Sequence, residues 1–202
     1  MPGRIDIQID SATAVLRFDH PERRNAMTLA MWEAIPGLAA RLDGDPAIRA
    51  IVLRGGDAAI RRYGHIADAA LAALRRVRKP MLAAIQGHCV GGGISIALCC
   101  DLRIATASAR FAMPAARIGL AYRLADLKPI VDAVGIDQAK LMFFTARGFD
   151  AAEAHRIGLV TTLVPDEALQ ATVDDLCLRI ADNAPLTLRA TKAICGEIAR
   201  PD

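Results

Sequence analysis

The stretch Gln86-Gly87-His88-Cys89-Val90-Gly91-Gly92-Gly93-Ile94 holds the clearest chemical signal in this 202-residue chain. Three consecutive glycines stand between an apolar run, Met81 to Ile85, and an apolar segment with helical character, Ile94 to Cys100. Glycine tolerates positive φ and lets a ligand approach the backbone closely. Backbone N–H groups at the start of a helix stabilise negative charge. The spacing does not supply a G-x-G-x-x-G dinucleotide fingerprint, and no Gly-Lys-Ser/Thr follows to make a Walker A loop. Gly93-Ile94-Ser95-Ile96-Ala97 lacks the last glycine of a nucleophile elbow. Two readings stay open: an oxyanion hole whose N–H groups polarise a carbonyl, or a tight turn that holds no ligand. His88, beside the glycines, reads either as an acid–base group or as a structural turn histidine.

Composition narrows the classes of partner. With 53% hydrophobic and 23% charged residues the chain can bury one substantial core. A net charge of +3 is too small to argue for nucleic acid, and 4% aromatic residues do not suggest a base-stacking surface. Arg75, Arg76, Arg78 and Lys79 form the densest basic cluster, read as the solvated end of a helix, with a polyphosphate ligand as the alternative. Cys89, Cys99, Cys100, Cys177 and Cys195 lack metal-type or redox-type spacing. They are expected to be buried thiols in a reducing compartment, with no metal site. The start, Met1 to Ile7, has no apolar core of a secretory signal, and no run of about 18 apolar residues exists. The expectation is a soluble cytoplasmic protein with no membrane partner.

The elements that must position the glycines follow from periodicity. Ile5 to Ile9 alternates as a half-buried strand and is expected to pair as a hairpin with Ala14 to Phe18. Thr28 can cap a helix over about 29–42, in which Pro36 implies a kink or break. Ala50 to Leu53 and Met81 to Ile85 suit strands buried on both faces, and Leu71, Leu74 and Val77 set a helix over 66–77 between them. Leu102 to Ala105 and Leu159 to Val164 read as further strands. Helices are expected over 124–134, 137–144, 150–156, 165–182 and 185–198. The alternation predicts an α/β layered domain with a helical C-terminal part.

Several separated segments, in order, resemble the enoyl-CoA hydratase/isomerase (crotonase) family. His20-Pro21-Glu22-Arg23-Arg24-Asn25-Ala26-Met27 is similar to its R-P-x-x-x-N-A-L segment. Ile51 to Gly56 resembles the strand before its first oxyanion loop. Lys79-Pro80 through Gly93, followed by Cys100-Asp101-Leu102-Arg103-Ile104-Ala105, resembles its K-P…G-G-G…C-D-x-R-I-A core. Phe143 to Arg147, Ala151 to Ala154 and Gly158-Leu159-Val160 resemble its later run. The resemblance implies an α/β crotonase-like spiral of ββα units with a helical C-terminal part. It also implies an acyl-CoA ligand, with coenzyme A as part of the substrate rather than a bound cofactor, and a homotrimer or dimer of trimers. A core over 1–182 and the start of a trimerisation region over 183–202 follow from it. Its shared chemistry, enolate stabilisation by two backbone N–H groups, carries over to Gly92. CoA and substrate contacts carry over to Glu22, Arg23, Arg24, Ala59, Gly91, Gly92, Ser95, Pro114 and Ala115.

This chain departs from the family pattern in three places. The F-x-A-G-A-D-like loop that supplies the second N–H is missing between Gly56 and Arg61; either this protein has lost the loop, or, as is expected here, the sequence is interrupted near 59–61. Hydratases of the family place one glutamate where Ser95 stands and another where Ala115 follows Pro114. Alanine cannot transfer a proton and serine has no carboxyl, so the two-glutamate hydratase mechanism is not expected. The glycine-rich turn after Gly119 is replaced by Leu120 to Asp126, which makes Tyr122 and Asp126 acid–base candidates beside His88. Two readings follow: an enolate-forming enzyme, or a non-catalytic CoA-thioester-binding or oligomer-forming relative.

Overall fold

The computed structural model of the chain describes residues 3–20, 27–55 and 64–198. The walk begins with strands β1 (Arg4–Asp10) and β2 (Thr13–Asp19), helix α1 (Leu29–Gly44), strand β3 (Ala50–Gly55), helix α2 (Gly64–Arg75) and strand β4 (Met81–Ile85). It continues through β5 (His88–Val90), α3 (Gly92–Ala97), β6 (Leu102–Thr106), β7 (Arg110–Ala112) and a 3-10 turn, Pro114–Ile118. Then come α4 (Leu124–Val134), α5 (Ile136–Thr145), β8 (Gly148–Asp150), α6 (Ala151–Arg156), β9 (Thr162–Val164), α7 (Leu169–Asp182) and α8 (Pro185–Ile198).

Six strands form the main sheet in the order β1-β2-β3-β4-β6-β9. The β1–β2 hairpin is antiparallel, with Ile7 opposite Leu16, and every later pairing in this sheet is parallel. Successive side chains on a strand point to opposite faces. On β3, Ile51 and Leu53 therefore pack with Trp32 and Ile35 of α1 and Leu71 and Leu74 of α2. Ala50 and Val52 face the other way, joining Leu82, Ala84, Ile104 and the α7 residues Leu169, Val173 and Cys177. Two apolar layers on one sheet explain why these strands read as unbroken hydrophobic runs.

Three short strands, none of which the sequence reading identifies, make a second sheet in the order β5-β7-β8. Stacking of Phe111 on Phe149, with ring centroids 5.7 Å apart, pins its antiparallel β7–β8 pair. At three residues each, these strands are too short for a two-residue period to show.

Local chemistry corrects three expectations. Thr28 caps α1 as read, its Oγ1 accepting from the Met31 N–H at 3.2 Å. The helix then runs unbroken through Pro36, because burial of Met31, Trp32, Ile35, Ala39 and Leu42 holds it on both sides of the missing N–H. The basic cluster is not wholly solvated. Lys79 is 3% exposed, and its ammonium donates to the Leu42 carbonyl at 2.7 Å and to the Asp45 carbonyl, where cation meets the C-terminal end of α1. Cys195 is exposed because α8 buries none of its residues, while the other four thiols are buried as expected. Burial pushes Cys89 up to about 12 and Cys99 to about 11, so both stay protonated and unreactive.

Asp43 completes the Lys79 brace. It accepts from Arg78 Nε and from the Arg78 and Lys79 backbone N–H groups at 2.9, 2.9 and 3.2 Å. Burial alone would raise its pKa, but these donors outweigh burial and hold the carboxylate below its ordinary value. A depressed folded pKa adds stability above the ordinary carboxylate value, lost as pH falls through the folded one. Asp43→Asn is expected to cost about 1–2 kcal/mol in urea unfolding at neutral pH. The gap from the native chain should begin to narrow below about pH 4 and close once pH has fallen through the lower folded value; a gap that stays constant as pH falls would contradict this role for Asp43.

Candidate functional site

The glycine triplet divides its labour. Gly91 adopts φ 56° and ψ −113°, a combination reserved for residues without a Cβ, and caps α3. Its N–H donates to the Ala112 carbonyl of β7 at 2.9 Å, and its carbonyl accepts from the Ser95 N–H at 3.2 Å. Gly92 and Gly93 belong to α3 itself, so the helix starts two residues earlier than its apolar stretch suggests, and it ends at Ala97. Residues in the first turn of a helix have no earlier turn to receive their N–H groups. At six residues α3 supplies little macrodipole, so the individual N–H groups carry whatever anion affinity the turn has.

Gly91, Gly92 and Ser95 line a pocket of about 580 Å3, including its open mouth, with Pro114 and Ala115 of the 3-10 turn. Trp32 of α1, Ala67, Asp68 and Leu71 of α2, and Tyr122 and Asp126 close the remaining walls, with Ile118 and Leu120 between them. Trp32 is 1% exposed, and its indole N–H finds no acceptor among the described residues. Tyr122 donates its hydroxyl to Met113 Sδ at 3.2 Å and packs edge-on against Phe143, with centroids 4.9 Å apart.

Seven of the residues singled out from the sequence thus share one pocket: Gly91, Gly92, Ser95, Pro114, Ala115, Tyr122 and Asp126. His88 does not join them. It is exposed on β5 and lines a separate apolar pocket with Phe18, Leu53, Gly93 and Ile96, because alternation along β5 turns it away from Cys89, which is buried. Glu22, Arg23, Arg24 and Ala59, and the expected interruption near 59–61, lie outside the described residues. Sequence reasoning missed Asp68 and Arg123. Asp68 is the one acid in the apolar α2 run Ile66 to Leu74, between the buried Ala67 and Leu71, which is the signal that was available. Arg123 links it to α4: Nη2 donates to Asp68 Oδ1, and Nε donates to Asp126 Oδ2 at 3.2 Å.

This architecture has counterparts among known proteins. The enoyl-CoA hydratase/isomerase family profile matches residues 8–200. The chain belongs to that family. It is 28% identical to a short-chain-enoyl-CoA hydratase from Clostridium acetobutylicum over 208 residues, covering 94% of this chain and 80% of that one. An enoyl-CoA hydratase/carnithine racemase from Magnetospirillum magneticum superposes with a TM-score of 0.94 at 30% identity, over 98% of this chain and 81% of its own. A Thermobifida fusca relative solved in complex with CoA superposes at 0.89 and 29% identity, over 98% of this chain and 86% of its own. The fold is therefore the crotonase fold, mixed α/β with a helical C-terminal part. Among the described residues no helix is long and apolar enough to cross a membrane, and no cluster of His, Cys, Asp and Glu could hold a metal ion.

A Cβ built on Gly91 meets nothing within 4 Å, so substitution there is opposed by backbone conformation alone. Gly91→Ala is expected to lower stability by about 1–3 kcal/mol, read as a reduced urea midpoint. An unchanged midpoint would show that the turn does not need this conformation.

Proposed function

We propose that the chain binds an acyl-CoA thioester and stabilises the enolate formed from it, with the Gly92 N–H donating to the thioester oxygen. The observation that carries this reading is the Gly91 conformation, which starts α3 at Gly92 on the wall of the pocket. Breaking a C–H bond next to a thioester carbonyl moves negative charge onto the carbonyl oxygen. A fixed N–H donor at that oxygen is worth about 3 kcal/mol of the barrier. The apolar walls from Trp32, Leu71, Ile118 and Leu120 suit an acyl chain and keep water from competing for the N–H.

Coenzyme A enters as part of the substrate, a reading supported by the CoA complex of the Thermobifida fusca relative. Family resemblance assigns its contacts to Glu22, Arg23, Arg24 and Ala59. Assembly into a homotrimer or dimer of trimers, with 183–202 opening the trimerisation region beyond a core over 1–182, is favoured by exposed apolar side chains. Leu186, Ile194 and Ile198 of α8 and Phe144 of α5 are each more than half exposed. The reading places the protein in the cytoplasm.

Ser95 and Ala115, standing where hydratases of the family carry glutamates, favour a second reading: a CoA-thioester binder without catalysis. Turnover of a panel of enoyl-CoA thioesters, with binding followed by calorimetry, separates the two. Turnover supports the enzyme, binding without turnover supports the binder, and no binding at all contradicts both.

Gly92 lies inside α3, in helical backbone that carries no penalty for a side chain of ordinary handedness. Gly92→Val is expected to fold normally and lose acyl-CoA affinity by about tenfold or more, as the side chain occupies the carbonyl's approach. Unchanged affinity in the folded variant would overturn the oxyanion assignment.

A further inference from the structure

Enolate chemistry needs a group that takes a proton from the carbon next to the thioester and returns one. Neither Ser95 nor Ala115 carries an ionisable carboxyl. Among the described residues lining the pocket with Gly92, the ionisable side chains are Asp68, Tyr122 and Asp126. The Tyr122 hydroxyl donates to Met113 Sδ, and an O–H donor is suited to giving a proton rather than taking one from carbon. That leaves two aspartates, which reach the pocket from different helices, α2 and α4, and meet on Arg123. The side chains of Asp126 and Asp68 are 7% and 23% exposed, whereas Arg123 is 52% exposed and spans the two. Arg123 also opens α4, its carbonyl accepting from the Asp126 N–H at 3.0 Å, which fixes the backbone of the buried aspartate to the arginine that bridges it.

Resting on the acyl-CoA reading above, we propose that Asp126 is the proton carrier of this pocket and that Asp68, through Arg123, is the residue that positions it. The Cα–H bond of the acyl group breaks and its proton passes to an Asp126 carboxylate oxygen. The released electron pair forms a Cα–C double bond, and the carbonyl pair moves onto the thioester oxygen, which accepts from the Gly92 N–H. In the return step the carbonyl re-forms and the Asp126 proton is delivered to Cα. In a β,γ-unsaturated acyl group it is delivered instead to Cγ, which shifts the double bond into conjugation. No oxidant, reductant or further reactant enters. The carboxylate chemistry of the pocket thus comes from α2 and α4 rather than from the α3 and 3-10 positions.

The full chain is incubated with but-3-enoyl-CoA in D2O, deuterium at Cα and Cγ is read by mass spectrometry, and acyl-CoA affinity is measured in parallel. The native chain is expected to incorporate deuterium. Asp126→Asn is expected to slow incorporation about 100-fold at unchanged affinity. Asp126→Ala should regain activity on addition of acetate, a signature that a structural aspartate would not give. Asp68→Asn is expected to slow incorporation about tenfold without weakening binding, and Asp68→Glu should restore most of the rate. A folded Asp126→Asn that exchanges at the native rate overturns the proposal while leaving the acyl-CoA reading intact. So does a native chain that binds acyl-CoA without exchange. A native chain that binds no acyl-CoA overturns the underlying reading, and this proposal with it.

Discussion

The hydrogen bond from the Gly91 N–H to the Ala112 carbonyl, 2.9 Å long, ties the first strand of the small sheet to the second at the point where the chain turns into α3. Gly91 makes that bond only by adopting φ 56°, and the turn back into helical geometry at Gly92 follows within one residue. The glycine wall of the pocket begins at this corner. β7 leads directly into the 3-10 turn that presents Pro114 and Ala115, so this bond, with the β5–β7 pairing beside it, holds the glycines against that wall. A bulky residue at the corner would lose the conformation rather than merely fill space, since the volume beside Gly91 is open.

Behind the corner stands a sheet packed on both faces. Its rigidity comes from parallel strands whose alternate side chains enter two separate apolar layers, with α1 and α2 on one side and α7 on the other. Lys79 and Asp43 lock the C-terminal end of α1 to the start of β4, which fixes Trp32 relative to the glycine turn. α2 and α4 lie on the pocket side, and the Asp68–Arg123–Asp126 bridge is the polar link between them. Ser95 and Ala115 bring no carboxylate to the pocket, and the carboxylates among its described lining residues, Asp68 and Asp126, stand on α2 and α4.

How much of this was legible in the sequence depended on length and range. α4 and α8 have the bounds that periodicity and flanking glycine or proline gave them, and the unbroken apolar runs of β3 and β4 read correctly as buried on both faces. β5, β7 and β8 were invisible because three residues show no period, and what holds them is tertiary pairing. Pro36 misled because a missing N–H is a local signal and the burial that overrides it is not. The pocket residues Gly91, Gly92, Ser95, Pro114 and Ala115 came from ordered motifs. Asp68 did not, because its meaning lies in Arg123, 55 positions away in the chain.

The proposed chemistry depends on one donor, the Gly92 N–H, acting on one oxygen. Isotope-edited infrared spectroscopy of an acyl-CoA labelled with 13C at the thioester carbonyl reads that contact in the bound state. Polarisation by a fixed N–H lowers the carbonyl stretching frequency, so the bound thioester is expected to absorb below its position in water. In Gly92→Val, any residual bound ligand should lose that shift. A ligand that binds the native chain with its carbonyl frequency unmoved would contradict the oxyanion site.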